Sequence, residues 1–152
     1  MIRRAMVCAM LAAALAGAAD FRLKDDRGRT TSLAQYKGKV VLLNFWATWC
    51  HGCVREIPWF MEFQDRYKRD GLVVLGVSMD ENGWKAVRPY MKQRKLNYHL
   101  VIGSGELGRQ FGLDGMPMTL LIGRDGKVSA THTGVVDREA TGAELRALLG
   151  RR

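Results

Sequence analysis

Cys50 and Cys53 stand two residues apart in Trp49-Cys50-His51-Gly52-Cys53, close behind the apolar run Val40–Trp46. Two thiols at that spacing can close a small-ring disulfide and be reduced again. Where such a pair follows a buried strand and opens a helix, the first sulfur sits at the helix N-terminus. There the unpaired N–H groups and the positive end of the dipole favour thiolate over thiol. A lowered pKa makes a sulfur both a nucleophile at neutral pH and a good leaving group, the two properties that thiol–disulfide exchange needs. Trp49, His51 and Gly52 flank Cys50 and are the residues placed to tune it.

Other uses of the pair are a structural disulfide and half of a zinc site. Zinc takes four ligands, and no second Cys pair exists. The third cysteine, Cys8, lies in the N-terminal segment, and His51, His99 and His132 are scattered rather than spaced as ligands. The sequence therefore assigns no metal site and no cofactor beyond a redox-active disulfide. His99 and His132 have no evident partner in sequence and read as structural or surface residues.

The chain has 152 residues, 47% of them hydrophobic and 26% charged, which suits one soluble domain with a real core. Arg3 and Arg4, the apolar stretch Ala5–Ala16 and the small residues before Asp20 have the three-part layout of a secretory signal peptide. We expect a leader over 1–19, cleaved after Ala18 or Ala19 or kept as an anchor, and one domain over 20–152. Cleavage would leave a single cysteine pair, as suits a redox domain in an oxidising compartment, here the periplasm. Loss of Arg3 and Arg4 lowers the formal charge from +9 to +7. Lys and Arg are spread without interleaved aromatics, so a solvated surface is expected and no nucleic-acid partner.

Segments able to position the pair follow in order. Phe21–Leu23 and Thr30–Ser32 read as short strands around the turn Asp25–Gly28, and Ser32 as the cap of a helical turn Leu33–Tyr36. Val40–Trp46 and Leu72–Ser78 are continuous apolar runs, as strands covered on both faces should be. Phe60, Phe63 and Tyr67 recur at helical spacing, predicting a helix from Cys50 to about Asp70, kinked at Pro58 and stopped by Gly71. A second helix, Asn82–Lys95, is expected to be interrupted by Pro89. A weaker strand Tyr98–Ile102 and a short helix Gly105–Phe111 follow. Met118–Ile122 and Lys127–Thr133 form a hairpin around Arg124-Asp125-Gly126, and Arg138–Leu149 is a terminal amphipathic helix. The fold class is α/β, a mixed central sheet with helices on both faces.

Five further blocks accompany the Cys pair: Gly38-Lys39-Val40-Val41 leading to Asn44–Cys50, Glu56-Ile57-Pro58, Val77–Glu81, Gly115–Thr119 and Ile122–Lys127. In this order they resemble the thioredoxin superfamily, in particular its exported TlpA/ResA-like branch, across Asp20–Gly150. The resemblance implies a thioredoxin-like fold. It makes Cys50 the exposed nucleophile and Cys53 the buried resolving thiol. It makes Pro117 a cis-proline packed against the disulfide, with the Met116 backbone offered to an extended substrate peptide; the alternative is an ordinary trans proline at a strand start.

Glu56 matches a buried carboxylate that could take protons from Cys53, and it could equally be a surface acid stabilising the helix dipole. Two departures stand out. Asn44 replaces the buried Asp of thioredoxin, and His51-Gly52 replaces a dipeptide ending in Pro. A His beside Cys50 stabilises its thiolate and makes the disulfide more oxidising, so the direction of electron flow stays open.

The function so implied is a periplasmic monomeric thiol–disulfide oxidoreductase. Reduction of apocytochrome c or metal-site cysteines is expected, with a membrane or periplasmic redox partner that resets the disulfide. Two alternatives are a peroxidase of the same fold and a non-enzymatic copper(I) carrier. The peroxidase setting Pro-x-x-x-Thr-x-x-Cys has Leu43 and Ala47 here in place of Pro and Thr.

Overall fold

A computed structural model describes residues 19–151; the expected leader lies outside all of these but Ala19. Thirteen elements alternate as the apolar runs demand. Strands β1 (Leu23–Lys24) and β2 (Thr30–Thr31) form a small antiparallel pair. The main sheet is built from β3 (Val40–Trp46), β4 (Leu72–Ser78), β5 (His99–Ile102), β6 (Met118–Ile122) and β7 (Val128–Thr133). Its order is β5-β4-β3-β6-β7, with β3 parallel to β4 and β4 to β5, and with β6 antiparallel to both β3 and β7.

Every residue of β3 is buried, as its position in the middle of the sheet requires. Val40, Leu42 and Trp46 face α1 (His51–Tyr67), α2 (Trp84–Arg94) and α4 (Arg138–Gly150), packing with Phe60, Val87 and Leu145. Val41, Leu43 and Phe45 face the other way, against Phe21 and Leu107 of α3 (Gly105–Gln110). Helices therefore cover both faces, and the chain has the thioredoxin-like α/β fold.

Three local expectations change. The helical turn Ala34–Tyr36 is not capped by Ser32: the carboxylate of Asp20 accepts from the N–H groups of Leu33 (2.7 Å) and Ala34 (3.2 Å). A carboxylate satisfies two orphan donors at once, where a hydroxyl satisfies one. The second helix begins at Trp84, not Asn82, because Gly83 at its start has φ +54°, outside the helical region. It also runs unbroken through Pro89, which forfeits the single ladder bond its N–H would have made to the Lys85 carbonyl.

Arg124 does more than close the β6–β7 turn. Its guanidinium donates to the carbonyls of Gly38, Asp70, Leu149 and Arg151, tying the ends of α1 and α4 to one end of the sheet. No helix of the described residues is long and apolar enough to cross a membrane.

Candidate active site

The site lies at the C-terminal end of β3, where the chain leaves the sheet at Trp46 and enters α1 at His51. Cys50 is the N-cap of α1, with φ −87° and ψ 108°, and its sulfur accepts from the Cys53 N–H at 3.2 Å. Cys50 and Cys53 are joined as a disulfide with Cα atoms 5.2 Å apart. Only Cys50 touches solvent, at 8% exposure against 0% for Cys53. Cys50, expected to be exposed, is therefore nearly buried as well, and Cys53 is shielded completely one turn into the helix. Trp49 beside them is 65% exposed, and His51, the first residue of α1, is exposed too.

Two loops frame this end of α1. One carries Met116, half-buried, and Pro117, buried and joined to it by a cis peptide bond. The other runs from Gly134 into α4, and the two are tied by Gly134 N–H donating to the Pro117 carbonyl at 2.8 Å. Both close on Gly52. A Cβ there would lie 3.1 Å from Val135 Cγ2 and 3.3 Å from Pro117 Cδ. The glycine between the cysteines thus lets both loops approach the disulfide, and Val135, absent from the sequence motifs, joins Trp49 as exposed apolar surface.

Glu56 lies one turn beyond Cys53 and is wholly buried. This excludes a surface acid acting on the helix dipole. Its Oε2 accepts from the Val136 N–H at 2.7 Å, and its Oε1 has no hydrogen-bond partner among the described residues. Burial pushes the carboxyl up to about 7, opposed by the Val136 N–H, the neighbouring Asn44 amide and the charge of His132. A buried carboxyl pushed up to about 7 therefore lies one turn along α1 from Cys53. Asn44, where thioredoxin has Asp, is also buried and donates through Nδ2 to Thr119 Oγ1 at 3.1 Å.

Asp80 is the residue of the site that sequence reasoning passed over. It is 6% exposed and accepts from the Thr48 N–H at 3.0 Å, the Thr48 hydroxyl at 2.5 Å and the Ser78 hydroxyl at 2.7 Å. Together with the Met79 N–H donating to the Trp46 carbonyl at 2.8 Å, it fixes the loop that delivers Cys50. The signal was present in the Val77–Glu81 block, as an acid immediately after an apolar strand. The histidines also find partners: His99 Nδ1 lies 3.0 Å from Asp26 Oδ1, and His132 Nε2 lies 2.7 Å from Glu144 Oε2.

Asp25, Asp26 and His99 cluster closely enough to hold a metal ion. Their donor atoms are already engaged, since Asp25 accepts from Arg29 and Arg29 Nη2 lies 3.2 Å from His99 Nε2. A cation there would compete with a guanidinium.

Residues 16–131 match the AhpC/TSA family. The thiol-disulfide oxidoreductase ResA of Bacillus thuringiensis is 37% identical over 123 residues, covering 80% of this chain and 70% of that protein. ResA of Bacillus subtilis is 32% identical over 120 residues, 78% of this chain and 66% of that one. Among solved structures, a thiol:disulfide interchange protein of the DsbE kind from Chlorobium tepidum superposes with a TM-score of 0.83 at 34% identity. It covers 88% of this chain and 96% of that one. The exposed lipoprotein thioredoxin of Streptococcus pneumoniae superposes at 0.75 with 31% identity, covering 86% and 100%. With a surface-edge sulfur capping α1, a buried partner sulfur and these relatives, the chain belongs to the AhpC/TSA family as a ResA-like thiol–disulfide oxidoreductase of the thioredoxin superfamily.

Proposed function

We propose that the protein works outside the cytoplasm, in the periplasm, as a reductant of disulfides in partner proteins. The carrying observation is the stack of Cys50 at the surface edge, Cys53 wholly buried and Glu56 wholly buried one turn further along α1. The Cys50 thiolate attacks a partner disulfide. An S–S bond forms between Cys50 and the partner, and the partner's other sulfur leaves as a thiolate. Cys53 then gives its proton to Glu56 and attacks Cys50 Sγ, which releases the second partner thiolate and closes the Cys50–Cys53 bond. Two electrons pass to the partner, and its thiolates take up protons from solvent.

Trp49, Met116, Pro117 and Val135 would receive the partner's chain around the reacting sulfur. Cysteines awaiting haem or a metal ion are substrates of suitable chemistry, and a second redox protein would return the electrons. The leader pattern and the likeness to an exposed lipoprotein thioredoxin support the location. A peroxidase reading is disfavoured because Leu43 and Ala47, at the positions of its Pro and Thr, are both wholly buried and offer no hydroxyl beside Cys50.

The test is trapping. Cys53→Ser should accumulate a mixed disulfide through Cys50, and Cys50→Ser should accumulate none. Exchange at the wild-type rate in both variants would overturn the reading. The reduction potential decides direction: about −270 mV supports a reductant, and roughly −120 to −180 mV an oxidant or isomerase.

A further inference from the structure

One side chain gathers the end of the molecule opposite the dithiol. Arg124 donates through Nη1 to the Gly38 carbonyl at 3.0 Å, through Nη2 to Asp70 and Leu149 at 2.8 Å, and through Nε to Arg151 at 3.0 Å. The segments it draws together bring exposed cations with them. Lys37 and Lys39 flank Gly38, Arg69 precedes Asp70, Arg151 is itself exposed, and Lys127 ends the turn that Arg124 begins. The carboxylates of this end are Asp20, Asp70 and Asp125, so positive charge is in excess. Asp20 is engaged by the N–H groups of Leu33 and Ala34, and Asp125 by that of Lys127. Val128, an exposed apolar side chain, lines one groove with Arg124, Lys127 and Arg151.

The dithiol end is charged differently. Asp80 and Glu81 follow β4 there, Asp114 lies shortly before Met116, and Asp137 and Glu139 open α4. Arg55, Lys85 and Arg138 are the cations among them, and Arg138 is paired with Glu62 at 2.7 Å. The 7 residues of β3 put the two ends roughly 20 Å apart, more than twice the screening length of about 8 Å at physiological salt. A partner at the basic end therefore meets that end's charge and little of the other's. The chain also enters the fold here. Ala19 and Asp20 line a groove with Lys37, Lys39 and Asp125, and residues 1–18 before them hold the apolar stretch Ala5–Ala16.

We infer that this end is a docking surface for a bilayer of anionic phospholipids, with Lys37, Lys39, Arg69, Lys127 and Arg151 meeting the phosphates and the dithiol facing away. The cations stand on separate segments around Arg124, which suits a broad charged surface and not the narrow site of one anion. Basic clusters beside an apolar segment are drawn to anionic headgroups, and a bilayer is the acidic partner that the apolar stretch of this chain would also meet. The basic end is the same whether that stretch is kept or cut away. The inference goes beyond the proposed redox role and holds for either direction of electron flow.

The experiment adds the oxidised full chain to vesicles of phosphatidylcholine alone and of phosphatidylcholine mixed with phosphatidylglycerol. An amine-reactive reagent labels the lysines, and mass spectrometry reads the rate at each. On the anionic vesicles at low salt, Lys37, Lys39 and Lys127 should label roughly threefold more slowly than on the neutral ones. Lys85, at the start of α2 on the dithiol end, should keep its rate. About 0.5 M salt should erase the difference. A chain held by its apolar stretch is held on both vesicles, so the comparison reads the headgroups alone. Equal rates on both overturn the inference and leave the basic end to solvent or to an acidic protein. Slowing that extends to Lys85 overturns it too. The triple variant Lys37→Glu, Lys39→Glu, Lys127→Glu, changed only at exposed positions, should lose the preference for anionic vesicles in flotation. It should still exchange disulfides with a soluble substrate at the wild-type rate; an undiminished preference in that variant also overturns the inference.

Discussion

Glu56→Gln separates the electrostatic cost of this site from its chemistry. The carboxyl titrates at about 7 in the folded protein against an ordinary 4.5. A carboxyl raised in the folded state binds its proton more tightly there than in the unfolded chain. Its contribution to stability is therefore fully present below pH 4.5, falls as pH rises and is lost above about 7. At about 1.4 kcal/mol per pH unit, the ionised carboxylate weakens the fold by about 3 kcal/mol at pH 8. Gln has the same shape and can still accept from the Val136 N–H, but carries no charge. Urea unfolding of the oxidised protein, in which neither cysteine titrates, should give wild type and variant similar stability near pH 4.5. The variant should then gain about 3 kcal/mol on wild type by pH 8. Parallel stability profiles from pH 4.5 to 8 would refute the reasoning, because they would mean that burial does not hold the proton on Glu56.

Asp80→Ala strips the Thr48 N–H and two hydroxyls of their acceptor, and should cost about 2–4 kcal/mol in thermal or urea unfolding. It should also slow disulfide exchange, since the loop before Cys50 loses its anchor, whereas Asp80→Asn retains part of both. Gly52→Ala should destabilise the oxidised protein by about 1 kcal/mol, because the new Cβ presses on Val135 and Pro117; Val135→Ala in the same chain should recover most of it, measured by unfolding midpoints. His51→Pro should move the reduction potential negative by tens of millivolts, about 30 mV corresponding to 1.4 kcal/mol; an unchanged potential would show that His51 does not tune Cys50.

The strands and the helix carrying the cysteines were legible because local pattern and burial agree there. Val40–Trp46 and Leu72–Ser78 are apolar but for Asn44 and Ser78, and both are covered on two faces. Gly71 stops the helical segment as expected, with φ +102°. What stayed hidden depends on distant partners. Asp20 caps a turn thirteen residues on, which no local cue separates from the capping signal at Ser32. Asp80 reaches back to Thr48 across the parallel β3–β4 pair. Arg124 looked like a turn residue, and only the assembled fold brings four carbonyl oxygens to it. The two readings of Glu56 could not be separated by spacing, because a helical position shared with Cys53 can face solvent or the core. Packing of α4 over α1 decides it.

Under the proposed function, His51 and Glu56 are expected to pull the dithiol in opposite directions, and their surroundings decide which is stronger. A cation beside Cys50 stabilises its thiolate, favours the reduced form and makes the protein an oxidant. An anion beside Cys53 disfavours thiolate and pushes the pair toward giving its electrons away. His51 is exposed at the first position of α1, where water and salt screen its influence on Cys50. Glu56 is wholly buried with one oxygen unpartnered among the described residues, in surroundings where the same charge acts several times more strongly. The proposed reductant reading therefore expects the anion to prevail above the pH at which Glu56 ionises. Below that pH the carboxyl is neutral and the opposition disappears, so on the proposed reductant reading the reducing strength of the pair follows the proton on Glu56.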